Sequence, residues 1–219
     1  MSRWNNEPGS FLTHFIGALF AVTALVLLIV KAVTEGSAWH IASYSIFGSA
    51  LVLLYLASSV YHLIPKESPW KARLQVVDHT MIFVLIAGTY TPIALTALRG
   101  PWGWSLFGIV WGLALVGILI KGIAPLRRAV PHSVVVIIYA LMGWIALVAI
   151  VPLVRAFSGG ALALLFAGGS AYTLGIVFFA LDTVIKRTSK WYGHHEIWHL
   201  FVIAGSACHF ALIYGFLVG

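Results

Sequence analysis

The chain has 219 residues, 61% of them hydrophobic and only 9% charged, with a mean hydropathy of +1.01. A soluble domain carries roughly 25% charged residues, so a soluble globular fold is excluded and a polytopic membrane protein is expected. A single cysteine, Cys208, excludes an internal disulfide and a cysteine-rich metal site, and the net charge of +7 comes from thirteen Lys and Arg scattered over termini and loops, which excludes a basic nucleic-acid groove.

Measured against the ~20 residues a helix needs to cross the hydrocarbon, apolar runs fall at 11–33, 40–63, 75–98, 102–121, 132–154, 161–182 and 196–218. They predict seven transmembrane helices joined by short loops, an all-α bundle forming one domain over residues 1–219. Pro65 to Pro69, Arg99-Gly100-Pro101, Pro125, Pro131 and Ser158-Gly159-Gly160 are expected to break helices between the runs. The first run is too long, and its front too poor in positive charge, for a cleavable signal peptide. No repeat with a period of 20–50 residues is visible.

Orientation follows from the cations. With the N-terminus in the cytoplasm, ten lie inside (Arg3, Lys66, Lys71, Arg73, Lys121, Arg127, Arg128, Lys186, Arg187 and Lys190) against three outside (Lys31, Arg99 and Arg155). The C-terminus then lies outside. Trp4, Trp39, Trp70, Trp102, Trp104 and Trp191 fall near the ends of the runs, where interfacial anchors belong.

In this topology the polar residues of the apolar runs segregate. His14 in the first run, His62 closing the second, Asp78 and His79 opening the third, and His195 and His199 opening the seventh all lie toward the cytoplasmic face. His40 alone of the nine histidines lies near the outer face. One polar cavity entered from the cytoplasm is expected. Within it His195 and His199 are four residues apart, neighbours on one helix face about 6 Å along the axis, so both imidazoles can address one metal ion. Imidazole is costly in hydrocarbon without a partner.

Ser58-Ser59-Val60-Tyr61-His62, Asp78-His79 and His195-Glu196-Ile197-Trp198-His199 resemble the bacterial hemolysin III proteins. These belong with the progestin and adipoQ receptors and, more distantly, the alkaline ceramidases. Thr13-His14-Phe15-Ile16-Gly17, Ile86 to Pro92 and Gly205 to Phe210 extend the resemblance over nearly the whole chain. It implies a seven-helix fold with zinc near the cytoplasmic face of a bacterial cell membrane, held by His62, His195 and His199. It also implies functional roles for Asp78 and Ser58. The N-terminal Glu7-Pro8-Gly9-Ser10 keeps a Glu and a Ser but not the fuller acidic stretch of many hemolysin III proteins, which leaves a role for Glu7 open. The large soluble extension of the animal receptors is missing, so a hormone-receptor role is not expected.

Three neutral imidazoles and one open position are the ligand set of a catalytic zinc, which supplies hydroxide near neutral pH. Asp78 could orient a ligand histidine or take a proton from water, or simply pair with Lys71 or Arg73. Ser58 could donate to a carbonyl oxygen as charge develops on it, or bond back to its own helix. His14 and His209 are expected to line the cavity or pack between helices, His209 about 15 Å deeper than His199. His79, His132 and His194 read as interfacial. His195-Glu196-Ile197-Trp198-His199 also matches the H-E-x-x-H pattern of zinc proteases; the chain contains no Asp-Gly to supply a third ligand, so Glu196 reads as incidental or as a helix N-terminal acid. Three functions follow. The first is zinc-dependent hydrolysis of a membrane-lipid amide or ester, the second a non-enzymatic, zinc-stabilised role in lipid homeostasis or fluidity. The third is a pore-forming hemolysin, disfavoured by the absence of amphipathic strands. The residues leave turnover, substrate and oligomeric state open.

Overall fold

The computed structural model describes residues 6–185 and 189–218; Arg3, Trp4, Lys186 and Arg187, used above for orientation and anchoring, lie outside them. Seven helices among the described residues are long and apolar enough to cross a membrane. They are α1 (Pro8–Glu35), α2 (Ala38–Leu63), α3 (Lys71–Ala97), α4 (Pro101–Gly122), α5 (His132–Ala156), α6 (Gly159–Val184) and α7 (His194–Phe216). A short helix, Ala124–Ala129, links α4 to α5. The described residues contain no strand.

The helix starts show why the apolar runs were too short. α1 begins at Pro8 rather than 11, α3 at Lys71 rather than 75, and α7 at His194 rather than 196. The added turns carry Ser10, Arg73 and His195, which hydropathy scores as loop. Proline is tolerated at the first helical position because its missing N–H would be unpaired there anyway. Thus Pro8 and Pro101 open helices, and Pro125 sits in the first turn of the short helix rather than breaking one. Gly100 has φ +139°, a conformation L side chains rarely adopt. Ser158 caps α6 by accepting the Ala161 N–H at 3.3 Å.

Two helices are irregular, each at a proline. After Pro92, α3 widens into a π turn over Ile93–Ala97, and the Leu98 N–H donates to the Ile93 carbonyl at 2.9 Å. In α5, Pro152 is preceded by a 3-10 stretch at Ile145–Ala149. The Tyr90 hydroxyl from α3 enters that break, donating to the Gly143 carbonyl at 2.7 Å and accepting the Ala146 N–H at 3.1 Å. Backbone groups freed inside a membrane must be re-satisfied by a neighbour, and Tyr90 does this.

Consecutive helices pack together and α7 returns against α1, closing a ring. One core cluster joins α1, α2 and α7 through Leu28, Tyr44, Phe47, Leu54, Val202 and Ile213. The other joins α3, α4 and α5 through Phe83, Val110, Met142 and Leu153. Large apolar side chains such as Phe20, Leu141 and Val148 point outward, as lipid-facing positions require. Tyr55 binds α2 to α7, its hydroxyl donating to Ser206 Oγ at 2.8 Å. Because the helices alternate in direction, the starts of α1, α3, α5 and α7 and the ends of α2, α4 and α6 share one face.

At Gly103 a Cβ would lie 2.1 Å from the Ala94 carbonyl oxygen, while at Gly108 it would meet nothing within 4 Å. Gly103→Ala should therefore destabilise the protein by about 1–3 kcal/mol, and Gly108→Ala should be neutral or stabilising. Thermal unfolding of the two variants in detergent checks the contrast.

Candidate metal centre

His62 sits in the last turn of α2, and His195 and His199 in the first two turns of α7. The structure brings one ring nitrogen from each within 4.8 Å of the other two. His62 Nε2 and His195 Nε2 are 3.3 Å apart. Two nitrogens bound at 2.0–2.1 Å to a tetrahedral ion stand about 3.3–3.4 Å apart, so this pair already has ligand spacing. His62 and His199 are buried and His195 is half-buried at the mouth.

The opposite nitrogen of each ring is engaged. His62 Nδ1 donates to Glu7 Oε2 at 2.8 Å, and Glu7 Oε1 lies 3.2 Å from Lys66 Nζ. Thr13 Oγ1 gives its only proton to the Ser10 carbonyl at 2.9 Å, so its contact with His199 Nδ1 at 2.9 Å is one in which the ring donates. His195 Nδ1 faces Asp182 Oδ2 at 3.5 Å. Donation through Nδ1 leaves the Nε2 lone pair for a ligand bond and raises its basicity. Burial disfavours the Glu7 charge, yet the His62 hydrogen bond and the nearby Lys66 and Lys71 outweigh it and hold the carboxyl below the usual carboxylate range.

The remaining sequence-predicted residues fall into three groups. Ser58 and Asp78 line one small pocket with His195 and His199, and the Ser58 side chain faces Asp78. No Lys or Arg among the described residues comes within ion-pair distance of Asp78: Lys71 Nζ instead donates to the Tyr61 and Ile64 carbonyls, at 2.6 and 3.2 Å, and Arg73 lies over Trp70. His14 stacks on His199 with ring centroids 3.5 Å apart, and neither of its buried nitrogens has a hydrogen-bond partner. Glu196 is buried and accepts the Ser10 hydroxyl, one turn of α1 before His14. His209 lies against Tyr172 beside an apolar cavity, and its ring occupies the space where a Cβ on Gly168 would be.

The small pocket at this centre lies between two larger spaces. On the outer side is an open polar vestibule of about 480 Å³, lined by Glu7, His62, Asp78, Lys121, Asp182 and His195 among others. Toward the bundle interior, Leu54, Ile82, Trp198 and Val202 are shared between the small pocket and an apolar cavity of about 100 Å³ that reaches Trp144 and His209. His79 and His132, expected at the interface, instead flank Lys121 in the vestibule wall. Thr13, Asp182 and Lys121 were not singled out from sequence. Only the 7, 10, 14 spacing on α1 hints at a polar stripe there.

Fold and site together define a seven-helix membrane protein with a buried three-histidine cluster that could hold a metal ion, near one membrane face. The Haemolysin-III related family matches residues 2–210. The chain is 44% identical over 204 residues to "Hemolysin-3 homolog" of Bacillus subtilis (strain 168), covering 93% of this chain and 91% of that protein. To "Hemolysin-3" of Bacillus cereus it is 41% identical over 204 residues, covering 93% and 88%. A human relative, "Monocyte to macrophage differentiation factor", is 27% identical over 186 residues, covering 82% and 72%. The chain belongs to the hemolysin III family and is a multi-pass protein of a bacterial cell membrane.

If the Nδ1 partners orient the ligands, Thr13→Val and Asp182→Asn should each weaken divalent-metal binding by about 10–100-fold while leaving the helices packed. Competition with a chelator measures this. Unchanged affinity in both variants would remove the orienting role.

Proposed function

We propose that this protein is a zinc-dependent hydrolase acting on a lipid amide or ester at the cytoplasmic membrane face, in membrane lipid homeostasis. One observation carries the reading: three imidazoles, each engaged through Nδ1, converge beside a small pocket that shares walls with a polar vestibule on one side and an apolar cavity on the other. Three neutral imidazoles suit zinc. Bound there with one open position, zinc would polarise a carbonyl and lower the pKa of its bound water to about 7.

The chain's own groups supply the rest. In this reading Asp78, with no Lys or Arg within ion-pair distance among the described residues, takes the proton of the attacking water and returns it to the leaving group. Ser58 turns its hydroxyl from Asp78 to the carbonyl oxygen as that oxygen becomes negative. Trp198, Val202 and Leu54 keep the inner side apolar, the chemistry an acyl chain needs, while the polar vestibule suits water and a headgroup. Glu196, held by Ser10, is left out of this chemistry.

Purified protein should carry about one zinc per chain, with imidazole nitrogens at about 2.0–2.1 Å, and His62→Ala or His199→Ala should lose most of it. Elemental analysis decides; well-folded protein that takes up no metal would end the zinc reading. For catalysis, Asp78→Asn and Ser58→Ala should keep zinc and stability but lose on the order of 10²–10⁴ in rate. The readout is restoration of membrane lipid composition in cells lacking the protein, with Glu196→Gln as the variant that still restores. Full restoration by both Asp78→Asn and Ser58→Ala would leave a zinc-stabilised, non-enzymatic protein.

The cytoplasmic orientation rests on the cation distribution. In a Cys208→Ser background, a cysteine at position 68 should react with a membrane-impermeant reagent only from the cytoplasm, and one at 100 or 158 only from outside. The reverse pattern would move the site to the outer face.

A further inference from the structure

Lys121, in the last turn of α4, is only 7% exposed. Its ammonium contacts His79 Nδ1 at 3.0 Å and His132 Nδ1 at 3.3 Å. An ammonium has three protons and accepts none, so both imidazoles act as acceptors and neither neutralises the charge. No carboxylate among the described residues lies within ion-pair distance of Lys121; Asp78 acts on it only at longer range. Arg127, on the short helix that follows, donates from Nη1 to the Lys121 carbonyl at 3.0 Å, which brings a second cation to the same wall.

The vestibule also holds three carboxylates, and they lie elsewhere in its pairing. Glu7 is committed to His62 and Lys66, Asp182 faces His195, and Asp78 faces Ser58. One wall is thus acidic and bound up with the histidine centre, and the other carries the buried Lys121 and the exposed Arg127, neither within ion-pair distance of a carboxylate among the described residues. For Lys121, a charge removed from water is costly unless paired. The negative end of α4 and the two imidazoles offset only part of that.

We propose that Lys121 and Arg127 form a binding site for a phosphate-class oxyanion in the vestibule, with His79 and His132 positioning the ammonium. The remaining Lys121 N–H and the free edge of the Arg127 guanidinium are the donors such an anion uses. Phosphate chemistry could come from a lipid headgroup or from free phosphate. This site rests on the reading of the vestibule as the ligand entrance, and it adds to the proposed function the class of lipid selected, one bearing a phosphate.

The test is direct binding to the full-length, metal-loaded protein in a non-ionic detergent. The probes are inorganic phosphate, dihexanoyl phosphatidic acid and, as the phosphate-free control, dihexanoylglycerol. Wild type should bind phosphatidic acid at least about tenfold more tightly than dihexanoylglycerol, the scale of a hydrogen bond to a charged group. Lys121→Met should abolish that difference, Lys121→Arg should keep part of it, and Arg127→Gln should reduce it several-fold. Saturable binding of inorganic phosphate that competes with the lipid assigns the site to the free anion as well, and binding of the lipid alone assigns it to the headgroup; either result supports the proposal. Equal binding of both lipids by wild type overturns it, as does an unchanged preference in Lys121→Met. Should Lys121→Met fail to fold, an undiminished preference in Arg127→Gln and Lys121→Arg together overturns it. Metal content and turnover are read separately, so loss of anion preference with metal retained cannot be confused with failure of the zinc or hydrolase reading.

Discussion

An imidazole placed among apolar helices has two nitrogens to satisfy, and hydrocarbon satisfies neither. The polar end of this bundle is organised around that constraint. For His62, His195 and His199 the protein provides a partner to Nδ1 alone, from Glu7, Asp182 and Thr13. The Nε2 atoms of His62 and His195 face each other at 3.3 Å, and a ring nitrogen of His199 lies within 4.8 Å of the cluster. In a purely structural cluster one would expect each second nitrogen to find a carbonyl or hydroxyl, as Nε2 of His40 finds the Leu217 carbonyl at the opposite end of the molecule. Converging lone pairs repel unless something positive lies between them, and a divalent cation is the simplest occupant. His14 marks the other extreme: with no partner on either nitrogen, it is held by stacking on His199 and an edge contact with Tyr55.

The same constraint explains what could be read from the sequence. Seven helices were legible because the length of an apolar run and the thickness of hydrocarbon leave little choice. Their starts were not, because the turns that enter the membrane at the site are polar: Ser10 precedes the first run, Arg73 the third, and His194 and His195 the seventh. Hydropathy discards the residues that matter most. The His195–His199 pair was legible from its spacing alone, since four residues bring two side chains to one helix face. His62 was not linked to them by any local rule; the family motif supplied that connection. Neither Thr13 nor Asp182 carried a signal for its partner, because a single polar residue within an apolar run says nothing about a partner 186 or 13 positions away.

Glu196 shows how a motif can mislead when its surroundings are different. In the H-E-x-x-H arrangement the glutamate must reach the water that the histidines help to activate. Here its carboxylate is buried and bonded to Ser10, on the helix that closes the ring. Glu196 lies about 100° round α7 from His195, and its bond to Ser10 holds the carboxylate against α1. The residue is used for packing α7 onto α1, while Asp78 arrives from α3 to line the pocket beside His195 and His199.

That division of labour makes the first turns of α1 the element on which the site depends. Glu7 binds His62 on α2, Ser10 binds Glu196 and Thr13 binds His199 on α7, and His14 covers the His199 ring. At Gly9 the helix comes so close to the loop before α7 that a Cβ would lie 2.1 Å from the Trp191 carbonyl oxygen. The α1 end is therefore clamped to α2 and α7, the two helices that hold the three imidazoles. Anything that draws those imidazoles together also tightens the seat of α1, and anything that loosens α1 releases the Nδ1 partners that orient them. Metal affinity and helix packing at this face are then two readings of one equilibrium. It follows that substitutions in α1 that never touch the metal would act on its affinity, and that filling the site would stabilise the N-terminal helix more than the outer halves of α4 or α5, which contribute nothing to the cluster.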